Sequence, residues 1–491
     1  MSLAPGSVSF ARLKRRALSI GAVKAFDHAM QFLLPLVLVR CLDTVTFGEY
    51  RLLWLVVGTV MSVATLNMSG TLFYFVPRSD ERRRRLYVHQ ALIFLALSGL
   101  ACALLVSPAN PLLPAPMQPL AQYGWVVPAF VGLWVLGALL DALPTVDERI
   151  RWQASATVGL SALRVLLMAA AAWFTGDFRV MLWLLLALVL ARLGLLLYYV
   201  WRRHGLGRPW LEWAAFSEQF RHSAPLGLNN AFFGLRGNAD QWVAASLFSL
   251  ASFAAFSIAA VVGQLVHILR HSVMEAFLPS MSRLQAAGNV RGMLEMNSRG
   301  NVMVGKLLYP GLAFAFVFAP ELVTLVYTAS YSEAAPVMRV YIIGMLARVV
   351  EMGSLVMLLR EGTYVAIVTA INLAISVAVS WVAAQQFGLA GAAAGSVLAI
   401  YLDRVLVLRR VARRTGIALA HLQDWRTLGM ELALAASSGA AAWILADRIL
   451  AAQGPLARLA AGAAVIALVH AAVHCSGLLQ SATKRIQREN V

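Results

Sequence analysis

One stretch of the chain, residues 180–200, reads VMLWLLLALVLARLGLLLYYV and contains one charged residue, Arg192. A helix that rises about 1.5 Å per residue needs about 20 apolar residues to cross the hydrocarbon core of a bilayer. This stretch has the required length, and it lacks the alternation of apolar and polar residues that marks the strands of a membrane barrel. It therefore predicts a transmembrane helix.

Similar apolar stretches recur along the whole chain. Of its 491 residues, 60% are hydrophobic and 13% are charged, which is more apolar surface than one water-soluble core can bury. We predict an all-α integral membrane protein with about fourteen spans, at residues 17–39, 52–76, 87–106, 125–143, 154–174, 180–200, 224–248, 251–277, 302–326, 336–359, 364–387, 389–408, 428–446 and 456–473.

The net charge of +18 reflects membrane topology rather than nucleic-acid binding, because the arginines lie in short loops between apolar stretches. Cytoplasmic loops carry an excess of Lys and Arg, and alternate loops of this chain do so. We therefore predict a multi-pass membrane protein with both termini in the cytoplasm and no nucleic-acid partner. The basic loops are at residues 82–85, 149–151, 202–208, 283–299, 409–414 and 484–488.

The basic N-terminus followed by an apolar stretch superficially resembles a signal peptide. Residues 17–39 are too long for the apolar region of such a peptide and contain Lys24 and Asp27, so we predict that they stay as the first span. Cys41, Cys102 and Cys475 are scattered singly, so we expect neither a disulfide framework nor a metal site, and no cofactor.

The first and seventh predicted spans share a basic residue shortly before an acidic one. Lys24 and Asp27 match Arg236 and Asp240, which suggests two six-helix lobes in parallel orientation plus two C-terminal helices. The predicted organisation is a cytoplasmic segment (1–16), an N-lobe (17–200), a cytoplasmic linker (201–223), a C-lobe (224–408), a cytoplasmic segment (409–427), two helices (428–473) and a cytoplasmic tail (474–491).

Charged residues inside the predicted spans cost roughly 2.5 to 3.5 kcal/mol each on insertion scales, so each needs a partner or a function. Opposite charges three or four residues apart neutralise each other on one helical face, or line a water-filled cavity between the lobes. Both readings remain open, as do snorkelling, interhelical pairing and contact with substrate for Arg164 and Arg192. The residues are Lys24, Asp27, Arg164, Arg192, Arg236, Asp240, His267, Arg270, His271, Glu275, Lys306, Arg348 and Glu351.

The excess of buried cations favours an anionic, phosphate-bearing ligand. Lys24, Arg236, Arg270 and Arg348 are the candidate contacts to it. Carboxylates in a partly dry cavity are suited to exchange a cation, so the candidates for coupling to a H⁺ or Na⁺ gradient are Asp27, Asp240 and Glu351. The sequence contains no Walker A loop, GxSxG elbow or HExxH motif, which favours a transporter over an enzyme.

Three segments carry a resemblance to a known family. They are Arg40-Cys-Leu-Asp-Thr-Val-Thr-Phe-Gly-Glu-Tyr50 after the first span, Ser223-Ala-Pro-Leu-Gly-Leu-Asn-Asn230 leading to Asp240, and Phe253-Ala-Ala-Phe-Ser-Ile-Ala259. With the layout of the spans, they resemble the multidrug/oligosaccharidyl-lipid/polysaccharide flippase superfamily, and within it the bacterial Wzx-type polysaccharide exporters.

The resemblance implies a flippase of the bacterial inner membrane that moves an undecaprenyl-pyrophosphate-linked oligosaccharide from the cytoplasmic to the periplasmic leaflet by alternating access. Its implied partners are membrane lipids and other polysaccharide-assembly proteins. Family members keep basic residues in a central cavity, and Lys24 and Arg236 fit that role best here. The second span has no buried basic residue, unlike the related peptidoglycan-precursor flippases, which argues against lipid II as substrate. The alternatives are a cation-coupled multidrug antiporter of the same superfamily and a membrane glycosyltransferase or ligase.

Overall fold

The computed structural model describes residue 26, residues 29–450 and residues 452–489. The described part of the chain is helical and contains no strand. It forms two compact units, Met1–Asn238 and Ala239–Val491. Lys24 and Asp27 lie outside the described residues.

The first unit holds the helices from α1 to the first part of α10. They are α1 (Ala29–Cys41), α2 (Thr44–Ala64), α3 (Met68–Phe75), α4 (Glu81–Val106), α5 (Gln118–Ala121), α6 (Val126–Gly137), α7 (Leu139–Val146), α8 (Ile150–Phe174), α9 (Phe178–Arg203) and α10 (Trp213–Leu247), with 3-10 turns at Val76–Arg78 and Ala115–Met117.

The second unit begins inside α10 and holds the remaining helices. They are α11 (Leu250–Ala259), α12 (Val261–Ala286), α13 (Val290–Val317), α14 (Ala319–Tyr327), α15 (Ala334–Arg348), α16 (Gly353–Leu358), α17 (Gly362–Ala392), α18 (Ala394–Thr415), α19 (Trp425–Arg448) and α20 (Pro455–Glu489), with 3-10 turns at Ala329–Tyr331 and Leu419–His421.

Ten helical segments of the described chain are long and apolar enough to cross a membrane. The other four predicted spans correspond to α1, which covers the described part of the first, to α10, to α15 with α16, and to α18. The prediction of an all-α membrane protein is confirmed.

Short polar side chains start several of these helices. The Asp43 carboxylate accepts a hydrogen bond from the Thr46 backbone N–H at 2.6 Å, and Asp80, Asp177, Ser249 and Asp424 cap later helices in the same way. A cap satisfies one of the backbone N–H groups that the first turn of a helix leaves without an internal partner. These residues therefore set where the apolar stretches become helices.

The second predicted span, residues 52–76, is not one continuous helix. It breaks between α2 and α3, where Leu66 and Asn67 have φ values of 38° and 58°. Backbone groups freed by a break inside a membrane protein must find other partners. The Ser98 hydroxyl donates to the Ala64 carbonyl at 2.7 Å and the Ser223 hydroxyl donates to the Leu66 carbonyl, so neighbouring helices stabilise the break.

Part of the segment that we predicted as a linker, residues 201–223, is helical and packed. Helix α10 begins at Trp213, and the Gln219 amide donates to the Thr71 hydroxyl of α3 at 3.0 Å. The Gln90 amide of α4 donates to the Glu212 carbonyl at 2.9 Å. These contacts attach the start of α10 to the first unit.

Candidate functional site

The first unit contains a cavity of about 430 Å³ lined by residues of α1 and of α6 to α9. Its walls are largely apolar, with Trp134 from α6 and leucines from α7 to α9. The charged residues in its lining are Asp141, Arg164 and Arg192, and its neutral polar residues are Gln31, Thr145, Gln153, Thr157 and Ser161. Arg164 and Arg192, which both lack an oppositely charged residue at helical spacing in the sequence, thus share one cavity.

Arg192 on α9 reaches across to α7. Its Nη2 donates to Asp141 Oδ2 at 2.6 Å, and its Cζ lies 4.8 Å from the centroid of the Trp134 ring. Gly137 faces the arginine side chain, and a Cβ at that position would stand 3.3 Å from Arg192 Nε. Arg192 is therefore held by an ion pair between helices and a cation–π contact, as one of the readings of the sequence proposed.

Arg164 on α8 is held differently. Its Cζ lies 5.4 Å from the centroid of the Trp54 ring, and its Nε is buried without a hydrogen-bond acceptor among the described residues. A guanidinium has five N–H donors in a fixed planar geometry that matches carboxylate and phosphate oxygens. Arg164 is therefore positioned by an aromatic ring and keeps donor capacity for an anion.

A second group of charges forms in the second unit around Arg270 of α12. Glu351, Asp403 and Arg404 lie within electrostatic range of Arg270. Arg348 and Arg270 in turn both act on His267. The structure therefore brings together three of the sequence-predicted site residues, Arg270, Arg348 and Glu351.

Glu351 also has a structural role that its spacing from Arg348 does not indicate. Its Oε1 accepts a hydrogen bond from the Gly353 backbone N–H at 2.6 Å and its carboxylate accepts another from the Ser354 N–H. The Asn301 side chain accepts from the Glu351 backbone N–H at 2.9 Å. The Glu351 carboxylate thus accepts hydrogen bonds from the first two backbone N–H groups of α16, at the break between α15 and α16.

Asp240 is 3% exposed and lies at the start of the second unit. Its Oδ2 accepts a hydrogen bond from the Tyr341 hydroxyl at 2.7 Å, and Ser396 also bonds to the carboxylate. The Ser396 hydroxyl lies 3.4 Å from the Ser376 hydroxyl of α17. Asn372 lies one turn before Ser376 on α17, and its buried amide has no hydrogen-bond partner among the described residues. A buried carboxylate therefore lies close to polar side chains of α17 and α18.

The remaining sequence-predicted residues are spread over both units. Arg236 lies on α10 in the first unit, with its Cζ 5.9 Å from the centroid of the Phe233 ring. His271 and Glu275 form an exposed pair at 3.0 Å on α12. Lys306 on α13 lies 3.8 Å from Glu431 on α19.

Sequence reasoning missed three charged residues of these groups. Asp403 and Arg404 lie inside the predicted span 389–408 and pair at 3.0 Å, so a search of every span for charges would have found them. Asp141 also lies inside a predicted span, 125–143, but its partner Arg192 is 51 positions away, and no local pattern connects the two.

Solved structures similar to this chain show its fold. The lipid II flippase MurJ in an inward closed conformation matches with a TM-score of 0.68 at 10% identity, over 92% of this chain and 99% of that one. An inward-facing multidrug resistance MATE transporter of the MOP superfamily matches with a TM-score of 0.61 at 14% identity, over 79% and 96% of the two chains. A Vibrio cholerae MATE transporter matches at 0.51 and 14%, over 82% and 98%. The fold is that of an α-helical membrane transporter of this superfamily.

The sequence places the chain more narrowly. Residues 37–336 match the family described as "Polysaccharide biosynthesis protein", and the chain belongs to that family. The resemblance to the flippase superfamily is thereby confirmed. No curated protein matches the sequence.

Proposed function

We propose that this chain is a flippase that moves an undecaprenyl-pyrophosphate-linked oligosaccharide across the bacterial inner membrane by alternating access. Its cargo is the repeat unit of an exopolysaccharide, an O-antigen or a capsule. The main support for the proposal is that two arginines, Arg164 and Arg192, line the cavity of the first unit. The chain acts as a carrier in this proposal and performs no chemical step.

The charge of the cavity favours an anion. Arg164 and Arg192 face one carboxylate, Asp141, so the lining has a formal excess of one positive charge. Charges interact more strongly in a low-dielectric environment than in water, and arginine binds phosphate oxygens with two parallel hydrogen bonds. A pyrophosphate linked to a lipid presents several such oxygens at membrane depth, whereas the cations typical of multidrug transport would be repelled.

The group around Arg270 has the same sign of charge. Arg270, Arg348 and Arg404 outnumber Glu351 and Asp403 by one, without counting His267. Arg270 Nε is buried and has no hydrogen-bond partner among the described residues. Each unit thus contains a buried arginine whose Nε has no hydrogen-bond partner among the described residues, Arg164 in the first and Arg270 in the second, which supports recognition of an anionic headgroup.

Export of the glycan tests this role of the arginines. Arg164→Ala is expected to reduce export about tenfold or more, because a charge-assisted hydrogen bond contributes about 1.5 to 3 kcal/mol. Arg164→Lys should retain part of the export, since it keeps the charge without the planar geometry. Arg179→Ala, which removes an exposed arginine at the start of α9, is the matched control and should leave export unchanged.

Cells that carry these variants also show on which side of the membrane the lipid-linked glycan accumulates. Loss of the chain should trap lipid-linked glycan on the cytoplasmic leaflet, where added lectin does not reach it in spheroplasts. Lys24→Ala and Arg236→Ala are expected to give the same block at normal protein level. Normal export without trapped glycan in cells that lack the chain would overturn the proposal. Resistance to cationic drugs that depends on the chain would indicate an antiporter. Incorporation of sugar by the purified protein would indicate a transferase.

We further propose that Asp240 exchanges the coupling cation, H⁺ or Na⁺. Its burial and its contacts with Tyr341 and Ser396 support this role, whereas the Glu351 carboxylate is engaged by the backbone of α16. Asp240→Asn is expected to abolish uptake of labelled lipid-linked glycan driven by an ion gradient in proteoliposomes. Glu351→Gln should keep more than half of the uptake, because the amide oxygen still accepts a hydrogen bond. The opposite ranking would assign the coupling to Glu351.

A further inference from the structure

Three side chains that no part of the transport proposal uses converge in the second unit. In the part of the chain that the structure describes, one carboxylate oxygen of Glu431 and one ring nitrogen each of His470 and His474 all lie within 4.8 Å of one another. Glu431 belongs to α19, and both histidines belong to α20. The cluster therefore connects the two C-terminal helices.

The spacing of the histidines places them on one side of α20. Residues four positions apart lie one above the other on a helix, so His470 and His474 present their rings to the same neighbour. Helix α19 packs against α20 and brings Glu431 to that face. Two histidines at this spacing with a carboxylate from a second helix are a donor set that commonly binds a metal ion.

Burial gives a second, independent reason to expect a ligand here. Glu431 and His470 are each 7% exposed. Glu431 Oε2, His470 Nδ1 and His474 Nε2 are buried without a hydrogen-bond partner among the described residues, although Glu431 Oε2 and His474 Nε2 approach to 3.4 Å. Buried polar atoms nearly always have hydrogen-bond partners in folded proteins, so three such atoms without one in a single cluster indicate a ligand-binding site.

We propose that Glu431, His470 and His474 bind a divalent transition metal ion of the zinc class. Imidazole and carboxylate suit Zn²⁺, whereas Na⁺, Mg²⁺ and Ca²⁺ prefer sites made of oxygen ligands. Metal–ligand distances of about 2.0 to 2.2 Å require donor atoms about 3.4 Å apart in a tetrahedral site. The donors, at most 4.8 Å apart, need to close by roughly an ångström, which side-chain rotation provides.

His470 also has a contact that orients its ring. One of its nitrogens, Nε2, lies 3.4 Å from the Ser438 hydroxyl of α19. Metal-binding histidines generally use their second ring nitrogen in such a hydrogen bond, which fixes the orientation of the imidazole. Ser438 therefore acts as a positioning residue, and the metal ion holds α19 and α20 together.

Lys306 distinguishes the metal site from a purely structural polar network. Its ammonium group lies 3.8 Å from Glu431 Oε1, where it compensates part of the carboxylate charge. In a polar network, Lys306 would be one of the groups that hold the cluster together. At a metal site it is a competing cation, so its removal should strengthen metal binding.

Metal binding by the full chain in detergent, purified without a polyhistidine tag, tests the proposal. We expect one Zn²⁺ per chain after dialysis, measured by mass spectrometry, and a visible absorption band from tetrahedral Co²⁺ in the substituted protein. His470→Ala and Glu431→Gln should each weaken binding by more than about tenfold, since even the loss of an indirect contact costs 10- to 100-fold. Lys306→Met should tighten it.

His421→Ala is the matched control, because His421 is exposed in a 3-10 turn away from the cluster, and it should bind like the unaltered chain. Absence of stoichiometric Zn²⁺ in the unaltered chain would overturn the proposal without requiring any variant to fold. Binding lost equally in His421→Ala, or weakened by Lys306→Met, would also overturn it. Glycan export is a separate measurement, so neither result decides the other proposal.

Discussion

At the scale of single residues, the charged side chains differ in how the fold satisfies them. Arg192 has a carboxylate partner at 2.6 Å and Arg164 stands over an aromatic ring, and each keeps a buried Nε without a hydrogen-bond partner among the described residues. Glu361, outside the spans, is 5% exposed and accepts hydrogen bonds from Arg410 and Arg414, which lower its pKa. Residues with complete partners are structural, and those with spare capacity are where a ligand is expected.

Asp147, in the turn between α7 and α8, gives a pH-dependent prediction. Burial favours its neutral form, but hydrogen bonds from His204 at 2.9 Å and Tyr199 at 2.8 Å outweigh burial and lower the pKa of Asp147. A carboxyl group whose pKa is lower in the folded than in the unfolded protein stabilises the fold at pH values above its unfolded-state pKa of about 3.9. This stabilisation is lost as the pH falls through the folded-state pKa.

Asp147→Asn is therefore expected to lower the free energy of unfolding by about 1 to 3 kcal/mol at pH 7. The difference in free energy of unfolding between this variant and the unaltered chain should narrow as the pH falls below about 4. Thermal unfolding in detergent across this pH range measures it, with Glu295→Gln, at an exposed carboxylate, as the control. A difference that stays constant down to pH 3 would contradict the assignment.

At the scale of helices, small residues decide how closely the spans pack. Gly99 of α4 faces Gly132 of α6, and a Cβ on Gly132 would stand 2.8 Å from the Gly99 carbonyl oxygen. The hydrophobic effect contributes little to helix association in lipid, because lipid tails are as apolar as the side chains. Close van der Waals packing through small residues is therefore a main reason why helices associate there. Close contact between α4 and α6 therefore depends on two glycines that are far apart in the sequence.

Gly99→Ala is expected to lower the free energy of unfolding by about 1 to 3 kcal/mol, because the added methyl group overlaps the Gly132 backbone and forces the helices apart. Gly159→Ala in α8 adds the same methyl group where no atom lies within 4 Å, and should leave stability nearly unchanged. The midpoints of thermal unfolding of the two variants make the comparison. Equal midpoints would show that the α4–α6 contact tolerates expansion.

At the scale of the whole molecule, each unit has a hydrophobic core of its own. The core of the first unit joins residues of α2 to α4 with residues of α6, α7 and α9, including Met68, Leu95, Leu139 and Leu196. In the second unit, Phe318 packs with residues of α19 and α20 such as Ala442 and Ile466. The two C-terminal helices, predicted as an addition to two six-helix lobes, therefore pack within the second unit.

The predicted orientation in the membrane is testable by cysteine labelling. In a chain whose three cysteines are replaced by serine, Leu112→Cys should react with a membrane-impermeant maleimide in spheroplasts, because Leu112 lies 84% exposed in the predicted periplasmic loop. Arg413→Cys, in a predicted cytoplasmic segment, should react only after lysis. Labelling of both positions in intact spheroplasts, or the reverse pattern, would contradict the predicted orientation.

The sequence by itself determined the class of fold and the helices that build it. Length and hydropathy are local properties that lipid acts on directly, so the fourteen predicted spans each have a helical counterpart among the described residues. Details of the helices were harder to predict, because the break at Leu66 depends on hydroxyl groups of α4 and α10 that satisfy its carbonyls.

Only the tertiary structure decided which charges meet. The sequence drew attention to Arg192 as a charge inside an apolar stretch, and the fold placed it beside Asp141 and in one cavity with Arg164. The fold likewise places Glu431 of α19 beside His474 of α20, although the two residues are distant in the sequence. Such meetings depend on how each helix is rotated about its axis and which neighbour it packs against, and both follow from contacts between distant parts of the chain.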